Sequence, residues 1–186
     1  MLKLPYITSH RRGLEIGRGS HGQVYSLIDD PSRVIKYSVV YCDNLFDQYR
    51  IFDEVLSLLR KEKDKAFVSP FEWGYLNQGI DSLTCFCTLE KLKRISEDEH
   101  RVFHSILSHE DANVDKSFSP IELDQILSGL ARGLSFNRSK VNDFYNSITE
   151  SRFQHSDMHP RNVMKNVNGD FKLIDLDSVI IREKML

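Results

Sequence analysis

A chain of 186 residues, 40% hydrophobic and 28% charged, has enough apolar material to bury a core, which excludes a disordered polymer. Its length suits one ordinary domain or two small lobes sharing a cleft. A formal net charge of -2 supplies no global basic field, so direct nucleic-acid binding is not expected.

The first third reads as strands. Leu14 to Ile16 leads into a glycine cluster, Gln23 to Ile28 follows, and a turn at Asp29-Asp30-Pro31-Ser32 precedes Arg33 to Val40. These runs are rich in β-branched and aromatic residues and bounded by turn formers, which predicts an antiparallel meander. From about Asn44 to Glu62 the pattern turns helical, with Leu45, Tyr49, Phe52, Val55, Leu56 and Leu59 on one face. Ala66 to Tyr75 and Ser82 to Leu89 read as two more strands, joined by a turn through Asn77 and Gly79.

The second half changes character. Ser96 to Ser108, Ile121 to Leu134 and Ser139 to Arg152 are helical by periodicity, with Ser119-Pro120 as the start signal of the second. Strand-like Asn162 to Lys165 and Phe171 to Ile174 flank a turn at Asn168-Gly169. The expected fold class is therefore α+β. A strand-rich lobe over 1–90 would precede a helical lobe over 91–186, with the boundary near Glu90 to Ser96.

Cys42, Cys85 and Cys87 are too few and too odd in number for a disulfide framework. Cys85 and Cys87 alternate along a strand and are expected to point to one face of the core. Met1 to Arg12 lacks the apolar run of a signal peptide, and no stretch nears the roughly 20 apolar residues of a membrane span. A soluble, cytoplasmic protein with no membrane partner is expected.

Three segments carry chemistry. Gly17-Arg18-Gly19-Ser20-His21-Gly22-Gln23-Val24 places glycines between two strands, where backbone amides can approach phosphates unobstructed. A strand, not a helix, follows it, which disfavours a dinucleotide-binding turn. Lys36 emerges from an apolar strand twelve residues after Val24, where it can reach the α- and β-phosphates of a nucleotide. It needs a carboxylate to hold it. Glu54, eighteen residues on, is the choice, with Asp53 as competitor. The third segment is His155-Ser156-Asp157-Met158-His159-Pro160-Arg161-Asn162. Asp157 and Asn162 lie five apart, and Asp175 stands thirteen residues beyond Asn162 at the end of a hairpin. A carboxylate can accept a hydroxyl proton, and an amide oxygen with a second carboxylate can hold Mg²⁺. His155, Asp157 and His159 can also be drawn as three ligands of a hydrolytic metal site, although a packed His155 buttressing the loop is preferred.

Together these segments resemble the protein-kinase-like superfamily over nearly the whole length. Gly17, Gly19, Gly22 and Val24 match its glycine loop, Lys36 its phosphate-binding lysine and Glu54 the helix partner. Asp157 and Asn162 match the catalytic-loop pair, and Asp175 the metal-binding aspartate. Thr88 to Leu92 resembles the hinge whose backbone binds adenine, which brings in Glu90 and Leu92. The resemblance implies ATP and Mg²⁺ as cofactors and a two-lobed fold. It implies phosphoryl transfer to a hydroxyl, with a protein Ser/Thr acceptor favoured and a small-molecule acceptor as the alternative.

The departures are specific. His-Ser-Asp stands where the family has His-Arg-Asp, and Asp175-Leu176-Asp177 stands for Asp-Phe-Gly. The His-x-Asp-x-His-x-x-Asn pattern looks closer to aminoglycoside or choline phosphotransferases and to RIO-type kinases, and Asp177 could approach the metal. With eleven residues after Asp175, the resemblance is to a minimal core without the usual peptide-docking helices. A protein partner compensating for the short C-lobe is expected. A pseudokinase serving as a nucleotide-binding interaction module is the reading from another class.

Overall fold

The computed structural model describes residues 10–19, 22–41, 45–78, 82–107 and 118–182. The fold is mixed α+β, with a sheet-rich region and four α-helices among the described residues. It divides into two compact units. One comprises Met1–Asp64 and Val68–Lys91, and the other Lys65–Phe67 and Leu92–Leu186. Among the described residues no helix is long and apolar enough to cross a membrane. His21, Cys42, Asn44, Gly79 and Ser108 lie outside the described residues.

The first unit is a five-stranded antiparallel sheet in the order β1-β2-β3-β5-β4, built from β1 (Arg12–Arg18), β2 (Gly22–Leu27), β3 (Arg33–Tyr41), β4 (Pro70–Gln78) and β5 (Ser82–Glu90). The β2–β3 turn is closed by Arg33 N–H donating to Asp30 O at 3.1 Å and by Asp30 Oδ1 accepting from Ser32 N–H at 3.0 Å. Helix α1 (Leu45–Glu62) follows β3. Its Phe52, Val55, Leu56 and Leu59 are buried at helical spacing. It ends at Lys63, which takes a left-handed φ of 51° and donates to Leu59 O.

Cross-strand register decides which face α1 covers. Gly17 pairs with Val24, Val24 with Lys36, Lys36 with Cys87, and Cys87 with Trp73, so these five share one face. The Trp73 indole donates to Asp53 of α1 at 2.8 Å, and the Tyr49 and Tyr75 rings meet edge to face. Helix α1 therefore packs on the face that bears Lys36. Cys85 and Cys87 are buried thiols on that face, as their alternation predicts. The opposite face carries its own cluster of Leu27, Ile35 and Phe86, flanked by Tyr25, Tyr37 and Leu76.

The second unit holds α2 (Glu97–Leu107), α3 (Pro120–Leu130) and α4 (Arg138–Glu150). Ser96 and Glu99 cap α2 reciprocally, and Ser119 with Glu122 forms the same box on α3 with Pro120 in its first turn. Asn137 caps α4 by accepting from Lys140 N–H. Phe103, Phe144 and Phe171 meet pairwise at centroid separations of 5.3, 4.8 and 6.0 Å and lock α2, α4 and a short sheet together. That sheet has the order β6-β8-β9, from β6 (Lys93–Arg94), β8 (Val163–Lys165) and β9 (Phe171–Leu173). A separate pair joins β7 (Phe153–His155) to β10 (Val179–Ile181).

Two expectations change. The helix predicted over Ile121 to Leu134 stops at Leu130, where the backbone bonds of residues 132 and 133 tighten to i→i−3. The strand predicted from Ala66 begins at Pro70. Ala66 instead accepts from Leu173 N–H, and Phe67 bridges Leu173 within the second unit.

Candidate functional site

In the first unit, the β1–β2 connection is closed by Gly19 N–H donating to Gly22 O at 2.9 Å. The glycines differ in what requires them. A Cβ on Gly22 would lie 2.4 Å from Tyr37 O and 3.4 Å from Lys36 Cε, so β3 and the Lys36 stem occupy that space. Among the described residues, a Cβ on Gly17 would meet nothing closer than Val24 at 3.7 Å, and one on Gly19 nothing within 4 Å. Neither has a left-handed φ. Packing against the described residues thus demands glycine at 22 and not at 17 or 19.

Lys36 is half-buried on β3, directly opposite Val24, on the face covered by α1. Glu54 lies on the exposed side of α1, and among the described residues no ion pair joins it to Lys36. Asp53, its competitor, accepts from the Trp73 indole. Trp73 is itself half-buried rather than fully in the core, with Arg60 over its ring at 5.8 Å. Glu90 closes β5 opposite Arg33, and the next amide, Lys91 N–H, donates to Ser32 O at 2.8 Å. Leu92 is half-buried and begins the second unit.

In the second unit, the loop between β7 and β8 is built around His155. Its ring is buried and stacks on Phe67 at 6.4 Å with a 10° interplanar angle. Its Nδ1 accepts from Asp157 N–H at 3.2 Å, so in the neutral ring Nε2 carries the proton and donates to Ile174 O at 2.7 Å. Burial pushes its pKa below the ordinary 6.5. The Ile174 carbonyl and the nearby Asp175, Asp157 and Asp177 carboxylates oppose that without reversing it. His155 is thus the buttress expected from the sequence, and it ties the segment before Asp157 to the segment before Asp175.

Asn162 completes the link. Its Nδ2 donates to Asp157 O at 2.9 Å, and its own backbone O accepts from Ile174 N–H at 2.9 Å. The side chain is buried and its amide orientation is fixed by a carbonyl partner, so Oδ1 is the end left to act as a ligand. Asp175 follows Ile174 with φ 69° and ψ 53°, a left-handed conformation unusual for a residue with a side chain. It opens a 3-10 turn over Leu176–Ser178 without using its side chain as a cap. Asp177 sits half-buried within that turn. Asp157, Asn162 and Asp175 are therefore brought together by main-chain and amide hydrogen bonds inside one unit. The Asp157 carboxylate itself is 61% exposed, with His159 Nε2 3.4 Å from its Oδ2.

The donor chemistry suits a hard cation. One neutral amide oxygen and one or two carboxylates, completed by water and phosphate oxygens, match how Mg²⁺ is held. Among the described residues no three His, Cys, Asp or Glu side chains gather as a metal set. Both ring nitrogens of His155 are engaged, so the His155, Asp157 and His159 metal site drawn from the sequence is not formed. His159, drawn in the sequence as a metal ligand, has a different place in the fold. It stands directly before Pro160, the first residue of a 3-10 turn, and its Nδ1 accepts from Arg161 N–H at 3.1 Å as an N-cap. A residue preceding an N1 proline is a legible cap signal. Compared with known proteins, the chain matches no protein-family model and no curated protein.

Proposed function

We propose that this chain is an ATP-dependent phosphotransferase with a minimal protein-kinase-like architecture, acting on a protein seryl or threonyl hydroxyl. The observation that carries the reading is the coupling in the second unit. One buried amide, Asn162, holds the Asp157 backbone while its own carbonyl binds the amide beside Asp175. That coupling holds the backbones that carry the proposed acid–base group and the two proposed oxygen ligands in one register, which suits the positioning that phosphoryl transfer requires. In the first unit, the glycines at 17 and 19 that packing does not demand, with Lys36 on the third strand ahead of a helix, support the same reading.

In this reading the amides around Gly17, Gly19 and Gly22 and the Lys36 ammonium take the phosphates of ATP. Val24 and the backbone from Glu90 to Leu92 take the adenosine end. Glu54, exposed on α1, is left without the part in holding Lys36 that the sequence suggested. Asn162 Oδ1 and Asp175 would hold Mg²⁺, which when bound supplies positive charge against the phosphate oxygens. Asp157 accepts the proton of the acceptor hydroxyl as its oxygen bonds to the γ-phosphorus and the bond to the ADP oxygen breaks. His155, neutral and buried, keeps the loop in register and takes no proton.

The test is incubation of the pure chain with γ-labelled ATP and Mg²⁺, with generic protein substrates and with small alcohols, beside Asp157→Ala and Asp175→Ala. Label transferred to protein by wild type only, with Asp157→Ala still binding nucleotide, is the expected result. Transfer only to a small alcohol would move the acceptor class. Nucleotide binding with no transfer to any acceptor would make the chain a nucleotide-binding interaction module instead.

A further inference from the structure

We infer that His159 is a positioning residue for Asp157, which deepens the phosphotransferase reading and rests on it. Asn, Asp and Ser are the favoured caps of a helical turn, and histidine is not among them. His159 nevertheless caps the turn over Pro160–Asn162, its Nδ1 accepting from Arg161 N–H at 3.1 Å. An asparagine oxygen would satisfy that N–H equally well. What the imidazole adds is a second nitrogen at the far side of the ring, and that nitrogen lies 3.4 Å from Asp157 Oδ2.

The two contacts are linked by tautomer chemistry. Because Nδ1 accepts, the neutral ring carries its proton on Nε2, the atom that faces the carboxylate. The Asp157 carboxylate thus has the His159 Nε2 within 3.4 Å of one oxygen, an electrostatic contact, and its backbone N–H and C=O are held by His155 and Asn162. In the proposed reaction the other carboxylate oxygen, Oδ1, receives the hydroxyl proton. The backbone hydrogen bonds fix where Asp157 starts, and His159 fixes where its carboxylate ends.

Two isosteric substitutions separate capping from positioning. His159→Asn keeps an acceptor where Nδ1 was and removes the reach to Asp157. His159→Gln keeps a donor where Nε2 was and removes the cap. The full chain carrying each is assayed for kcat and for KM of Mg·ATP, with thermal unfolding as a check on folding. His159→Gln is expected to hold kcat within about threefold of wild type. His159→Asn is expected to lower it on the order of ten- to a hundredfold, below the whole effect of a general base, with KM changed by less than about twofold. The reverse order, or equal behaviour of the two variants, overturns the inference.

A second readout does not need catalysis. Imidazole ¹⁵N spectra of wild type should show the Nε2–H tautomer at His159, and the Asp157 carboxyl ¹³C signal should move in His159→Asn and stay in His159→Gln. A wild-type chain that transfers no phosphate would defeat the function proposed above. The tautomer and carboxyl signals would still decide the contact, and an Nδ1–H tautomer or an unmoved Asp157 signal would overturn it.

Discussion

Asp175 offers a way to separate the strain of the site from its chemistry. Its φ of 69° lies where a side chain costs about 1–2 kcal/mol and where glycine costs nothing sterically. Aspartate bears this conformation better than alanine, but less well than glycine. Asp175→Gly and Asp175→Ala both delete the same carboxylate, so every interaction of that carboxylate cancels between them. What remains is the backbone preference, offset by the larger unfolded-state entropy of glycine, about 0.5–1 kcal/mol. The glycine variant should therefore be more stable than the alanine variant by about 1 kcal/mol, or about 2–4 °C in Tm.

Calorimetry with amide hydrogen exchange is the suitable assay. Ser178 N–H donates to Asp175 O, and Ile174 N–H donates to Asn162 O, so these two amides report opening of the turn itself. The single tryptophan, Trp73, lies in the first unit and is the wrong probe. If Asp175→Ala equals or exceeds Asp175→Gly in stability and in protection of Ser178, the claim of local strain is wrong. Both variants should lose Mg²⁺-dependent transfer. The pair would then show a site residue kept at a conformational cost, as strained positions at functional sites often are.

Gly22→Ala places a Cβ 2.4 Å from Tyr37 O and should destabilise the sheet by about 1–3 kcal/mol in urea unfolding, whereas Gly19→Ala, with nothing within 4 Å among the described residues, should leave the midpoint unchanged and weaken only Mg·ATP binding. Burial pushes the Glu99 carboxyl up, but the Lys165 ammonium and the Ser96 N–H outweigh it and hold it below its ordinary value of 4.5. The stability from this pair is full above that value and is lost as pH falls through the lower folded one. Glu99→Gln should accordingly flatten the acid limb of Tm against pH, and a limb as steep as that of wild type would disprove the linkage. His155 is held neutral below the ordinary 6.5, so stability should fall as pH drops through 6.5. His155→Ala should remove that slope and cost about 3 kcal/mol at neutral pH by calorimetry, since it empties a buried site and strips Ile174 O and Asp157 N–H of their partner.

The parts legible in the sequence are those governed by local periodicity and turn chemistry. Phe52, Val55, Leu56 and Leu59 announce α1, Ser119-Pro120 announces α3, and Gly169, at φ 78°, marks the hairpin turn. Long-range pairing was not legible. Strands β6, β7 and β10 are two or three residues long and exist only because a distant partner supplies their hydrogen bonds. Ala66 and Phe67 follow Leu173, and no pattern within their own segment announces it. In the candidate site, the residue types were readable and their connections were not. That Trp73 occupies Asp53, that Glu54 is exposed, and that His159 reaches Asp157 are facts of rotamer and register.

The positions that best separate function from folding are those where the fold gives no reason for the residue present. Gly22 has a reason, because β3 runs through the space its Cβ would need. Gly17 and Gly19 have none among the described residues, yet each forgoes the entropy advantage that alanine offers in the unfolded chain. Asp175 bears a left-handed backbone that glycine would relieve, and His159 caps a turn that asparagine would cap as well. Each choice runs against local stability, and each lies in the glycine loop or in the loop and hairpin that join Asp157, Asn162 and Asp175. Sequences are locally consistent except where function requires otherwise. Lys63, at φ 51°, and Gly129 and Gly133, where a Cβ would meet nothing among the described residues, also run against local stability, so the inference of function rests most on the hydrogen bonds that join Asp157, Asn162 and Ile174 beside Asp175. If Gly19→Ala, Asp175→Gly and His159→Asn all gained or kept stability while nucleotide binding and transfer were unchanged, that argument would fail at its root.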